Sequence, residues 1–122
     1  MEEIQDTLVV KNTIPNVSAA VMRRQDMNAV VEELAQYKVA GDWCYYVWLL
    51  QKGKIAYSPK ALNLHRRHEQ SVTQAEDKER HLQEIVSMQE RILQQFPVSE
   101  DAKAISARYR QEVTQYLLGT EL

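Results

Sequence analysis

Cysteine, glycine, proline and phenylalanine are all scarce in this chain of 122 residues, which holds one Cys, three Gly, three Pro and one Phe. The single thiol, Cys44, excludes an internal disulfide framework and a multi-cysteine zinc site, and it fits a reducing compartment. Neither sign of charge dominates: fifteen Lys and Arg face seventeen Asp and Glu, for a net charge of −2. That balance offers no attraction to a polyanion, so nucleic acid is not an expected partner. Long hydrophobic runs are missing too. The longest, Trp43 to Leu50, falls far short of the ~20 residues that span a bilayer. Met1-Glu2-Glu3-Ile4-Gln5-Asp6 lacks the basic and apolar stretches of a secretory signal. No basic amphipathic segment supports attachment to a membrane surface, and a cytoplasmic location is the expectation. Internal repeats and low-complexity tracts are absent as well.

What is present is the material for one core. Hydrophobic residues make up 44% of a chain whose length suits a single domain. The organisation changes once, near Thr73. Before it, apolar runs, both tryptophans and most of the Gly and Pro punctuate short elements; after it, only Pro97 and Gly119 interrupt long stretches of helical periodicity. The chain therefore divides into a region 1–74 and a helical extension 75–122 that packs on it.

In the first region Pro15 pushes Ile14 toward extended geometry, and the alternation from Val17 to Met22 predicts a strand. Asp26 can cap a helix to about Gln36, with Val30, Val31 and Leu34 facing inward. Asp42 opens a second helix to about Lys52, which Gly53 stops. Trp43, Tyr46, Val47 and Leu50 share one face of it, and most of this helix is expected to be buried. Lys54 to Tyr57 reads as a short strand, and Leu62 to His65 as extended chain. In the extension, Leu82, Ile85, Val86, Gln89, Ile92, Leu93 and Phe96 form one stripe on a helix from Ala75 to Phe96. Pro97 stops that helix and Ser99 caps the next, whose stripe is Ala102, Ile105, Tyr109, Val113 and Tyr116. The two stripes predict an antiparallel helical pair. The fold class expected is α+β with helix predominating.

Two places could carry chemistry. Asp42 has a carboxylate beside Trp43 at the head of a buried helix, a setting for a general base; an ordinary helix N-cap is the plainer reading in local terms, and one side chain can serve as both. His65-Arg66-Arg67-His68-Glu69-Gln70-Ser71-Val72-Thr73 gathers imidazoles, guanidiniums and hydroxyls that suit a diphosphate or another anion. A solvated basic turn is the plainer reading of the same residues. No metal site is expected, since His65 and His68 lack a third ligand at a recognisable spacing. His81 is expected at the surface. Cys44 lies in an apolar run and reads as core, as do Trp43 and Trp48. Glycine-rich phosphate loops, a Gly-x-Ser-x-Gly elbow and paired-cysteine motifs are all absent.

Taken in order, Asn12-Thr13-Ile14-Pro15-Asn16-Val17-Ser18-Ala19-Ala20-Val21-Met22-Arg23-Arg24, then Val39-Ala40-Gly41-Asp42-Trp43, then Lys52-Gly53-Lys54-Ile55-Ala56-Tyr57, then Leu62-Asn63-Leu64 running into His65–Thr73, the first region resembles the acceptor-side half of family-2 glycosyltransferases. These are inverting enzymes with a GT-A fold, including enzymes of cell-envelope polysaccharide synthesis. The resemblance spans about half the chain, and the tail from Ala75 resembles the variable C-terminal extension of such enzymes. It implies a partial GT-A subdomain in which Asp42 is the catalytic base. Arg67, His68 and Ser71 would belong to the segment closing over the donor diphosphate, Asn16 and Ser18 would lie on the acceptor side, and Trp43 would shape the acceptor pocket.

The resemblance also implies a nucleotide-sugar and a carbohydrate acceptor as substrates of the complete enzyme, with Mg²⁺ or Mn²⁺ as its metal. The donor half and its Asp-x-Asp ligands do not occur in this sequence, nor does the Gln-x-x-Arg-Trp of processive members. No cofactor is therefore expected on this chain, and no transferase activity from it alone. The second expectation is a non-catalytic interaction module derived from that fold, forming a homodimer through helices 75–118.

Overall fold

The computed structural model describes residues 2–14, 16–64 and 77–119. Among them the chain is helix-rich and contains no β-strand. An N-terminal segment, Glu3–Leu8, is wound as a π-helix; the main helices are α1 (Val31–Leu34), α2 (Gly41–Leu50), α3 (Lys78–Gln95) and α4 (Glu100–Leu118).

The last two helices form where their signals stand. Asp77 caps α3 by accepting the Glu79 N–H at 2.9 Å, and Phe96 turns extended ahead of Pro97. Ser99 accepts the Ala102 N–H at 3.1 Å, and Glu100 and Asp101 occupy the first turn of α4. Gly119 ends α4 at φ 69°, the left-handed geometry that favours glycine. Cross-links from Gln89 to Ser106 and Arg110 show the two helices running antiparallel across the Phe96–Ser99 connection.

One core draws on every main element, α1 contributing only the half-buried Leu34 at its edge. Ile4, Leu8 and Val9 from the N-terminal segment meet Trp43, Tyr46 and Val47 from α2, with Ile85, Met88 and Ile92 from α3 and Ala102 from α4. The N-terminal segment ends inside this core, so its last carbonyls must find donors there. Three side chains from three helices supply them. The Trp43 indole N–H donates to Leu8 O at 2.9 Å, Ser106 Oγ to Val9 O at 3.1 Å, and Gln89 Nε2 to Val10 O at 2.8 Å. Gln89 is fully buried and also accepts from Arg110 Nε at 3.0 Å.

Several elements differ from expectation. Val17–Ala19 is a 3-10 turn rather than the start of a strand, and Lys54–Tyr57 and Leu62–Leu64 are irregular and exposed. A strand exists only when another pairs with it, and none of the described residues offers that pairing. The helix expected from Asp26 breaks in two, a 3-10 turn at Met27–Ala29 followed by α1; Val30 is buried as expected, but Val31 is half exposed. The inner face of α4 is centred on Ser106 and Thr114, so Ile105 and Tyr116 of the expected stripe lie at the surface. On α3 the buried face includes Glu84 and Met88, neither of which the apolar stripe contained. The boundary expected at residue 74 lies outside the described residues.

Candidate functional site

Asp42 is the second residue of α2, not its cap. The capping position is Ala40, which has no side chain to offer, and Ala40 O accepts the first helical bond from Cys44 N at 3.1 Å. The Asp42 carboxylate therefore serves the first turn from inside the helix rather than from the cap position. It accepts the Trp43 N–H at 2.7 Å and is half-buried. Burial pushes its pKa above the usual carboxylate value, against the lowering pull of hydrogen bonds from the Trp43 N–H, the Asn12 side chain and its own N–H. A carboxylate held in this way is a better proton acceptor than one in water.

Asn12 is the residue that a reading of the sequence passes over. Its Oδ1 accepts the Ile14 N–H at 3.1 Å in a local turn. That bond leaves its amide N–H groups as the donors toward Asp42. The available signal was weak: an Asn two residues before Ile14 in a Pro-containing segment is a common turn former.

One turn along α2, Tyr46 is 2% exposed and its hydroxyl has no hydrogen-bond partner among the described residues. Burial, helped by the nearby Asp42 charge, pushes its pKa up to about 12. Tyr46 is therefore a fixed neutral phenol beside the carboxylate at any working pH.

Asn16 and Ser18 come together with Asn63. Ser18 Oγ donates to Asn16 Oδ1 at 2.6 Å, and Asn63 Nδ2 donates to Ser18 O and Oγ at 3.0 and 3.3 Å. This polar cluster ties the 16–19 turn to the chain that leads into residue 65. Among the described residues no hydrogen bond joins it to Asp42. Arg67, His68 and Ser71, with the rest of His65–Thr73, lie outside the described residues.

Trp43, expected to shape an acceptor pocket, is a core residue instead: it is 3% exposed and its indole is committed to Leu8. Cys44 is buried, and burial raises its thiol pKa despite Arg91 nearby, which suits packing rather than nucleophilic attack. Two open clefts mark the surface. One of about 460 Å³ is lined by Tyr37, Arg80, Glu84 and Ser87, and one of about 480 Å³ by Glu3, Leu50 and Lys54. Asp42 lines neither.

Among the described residues no group of three His, Cys, Asp or Glu gathers to hold a metal ion, and no helix is long and apolar enough to cross a membrane. No protein-family model, no curated protein and no solved structure matches this chain.

Proposed function

We propose that this chain is the acceptor-side, C-terminal portion of an inverting nucleotide-sugar glycosyltransferase of family 2, a partial GT-A subdomain that is inactive without its donor half. The observation that carries this reading is where the chain leaves apolar side chains in water. Val21, Tyr57, Leu62 and Leu64 are each more than four-fifths exposed, at 103%, 88%, 81% and 96%. All four lie in segments whose patterning or geometry is extended and which have no partner strand among the described residues. Apolar extended segments left unpaired are what a chain shows when the sheet they complete is carried elsewhere.

The chemistry follows from Asp42. Its carboxylate takes the proton of an acceptor hydroxyl as that oxygen attacks the anomeric carbon of the donor sugar in line. The bond from that carbon to the nucleoside diphosphate breaks, and configuration inverts. Arg67, His68 and Ser71, brought over the diphosphate, would stabilise the charge on the leaving group. The Mg²⁺ or Mn²⁺ of the complete enzyme belongs on the donor half, and the described residues of this chain do not fit it.

A sugar-transfer assay tests the reading. The chain alone should show no turnover, addition of a donor half should restore it, and Asp42→Asn should then abolish it. Turnover by the isolated chain, or full activity in Asp42→Asn, overturns the corresponding part. The second reading is a homodimeric interaction module, favoured only by the exposed Ile105 and Tyr116 on α4. The buried stripes of α3 and α4 are already used in the chain's own core. Sedimentation showing a monomer at all concentrations would eliminate it.

A further inference from the structure

The amides ahead of α2 are satisfied from the other half of the chain. Lys38, Val39 and Ala40 all donate their N–H groups to one oxygen, Glu84 Oε1, at 2.9, 2.8 and 2.9 Å. Its second oxygen accepts Arg80 Nε at 3.1 Å. Glu84 lies on α3 and is only 6% exposed. Successive N–H groups converging on one carboxylate oxygen form an anion nest. Burial works to raise the Glu84 pKa, but the bonds from Ala40, Val39, Arg80 and Lys38 together hold it below the ordinary value.

Only Gly41 separates this nest from Asp42. A Cβ at Gly41 would meet nothing closer than Leu34 O at 3.6 Å, so no close approach demands glycine there. The glycine loosens the first turn of α2, and that turn has no side-chain cap of its own. The stiffness that this turn needs comes from α3.

We infer that Glu84 is a positioning residue for Asp42: through one carboxylate, the C-terminal helix α3 fixes the first turn of α2 and with it the placement of the Asp42 carboxyl. The catalytic consequence rests on the reading of Asp42 as a base, while the structural link stands without it. The C-terminal extension is thereby part of the site and not an appendage to it.

Carboxyl ¹³C titration of Asp42, with amide exchange at Lys38, Val39 and Ala40, tests the link in the intact chain. Asn12, Tyr46 and the Trp43 N–H face Asp42, and Arg80 faces Glu84, so neighbouring charges must be separated from loss of order. Glu84→Gln keeps an acceptor oxygen without the charge; exchange and the Asp42 midpoint should stay near wild type. Glu84→Ala should speed exchange of the three amides about tenfold or more and let the Asp42 midpoint fall toward the ordinary carboxylate range. Glu84→Asp keeps the charge but shortens the reach. It should behave as Glu84→Ala does, and it takes over the test if the alanine variant fails to fold. A folded Glu84→Ala or Glu84→Asp protein with Asp42 unmoved overturns the inference. Full turnover by Asp42→Asn in the reconstituted transfer assay would remove the base reading alone, and the titration would still report on the link.

Discussion

Asp42 and Glu84 are two carboxylates whose environments push them in opposite directions, and each direction has a consequence for stability. Asp42 has a pKa raised above 3.8 in the folded chain. The folded state then binds its proton more tightly than the unfolded state, so stability falls as pH rises through that window, and the cost persists at neutral pH. Asp42→Asn keeps the acceptor oxygen for the Trp43 N–H and removes the charge. It should raise the neutral-pH stability by about 0.5–1 kcal/mol, a small gain because solvent screens a carboxylate that is only half-buried. Thermal melts should show the gain at pH 7 and lose it below the ordinary carboxylate range. Glu84 has the reverse sign. Its pKa lies below 4.5, so its contribution is complete above that value and is lost as pH falls through the depressed folded pKa. In Glu84→Gln the acid side of the stability profile should flatten accordingly.

At the scale of elements, the break between α3 and α4 was legible and the rotation of the helices was not. Ser99 and Pro97 act through their own backbone or the next turn, and such signals need no tertiary partner. Which face of α4 turns inward depends on what waits there, and what waits is the polar end of the N-terminal segment. Ser106 and Gln89 are buried because the Val9 and Val10 carbonyls need donors, and no hydrophobic periodicity reports that need. The phase of the helical pair predicts a contrast that urea unfolding can check. Met88→Ala, at a fully buried site, should cost about 2–5 kcal/mol. Ile105→Ala, at a site 54% exposed, should stay within about 0.5 kcal/mol of wild type. Equal effects at the two positions would contradict this packing. The expected strands failed for the opposite reason: their patterning is real, but a strand is a property of two segments, and the described residues pair none of them.

For the whole molecule, the exposed apolar side chains are the largest departure from an ordinary water-facing surface. Leu62→Ser with Leu64→Ser should leave stability within about 0.5 kcal/mol, because neither side chain is buried. The same pair should lower self-association and, on the proposed transferase reading, weaken reconstitution of sugar transfer by a donor half. Light scattering reads the first effect and the transfer assay the second; a loss of several kcal/mol would show that these residues pack in the chain itself.

Local propensity and periodicity were enough to specify the helix-rich character, the stop and cap signals of Pro97 and Ser99, the burial of the Trp43–Val47 face of α2 and the core role of Cys44. They also singled out Asp42. Folding in three dimensions was needed to bring Glu84 onto the amides ahead of α2, to bring Asn12 toward Asp42, and to close the N-terminal segment with Trp43, Gln89 and Ser106. Nearly all of these are polar groups answering others from a distant part of the chain. Such pairings are set by where the backbone ends its own hydrogen bonds in the fold, and no spacing along the sequence encodes that.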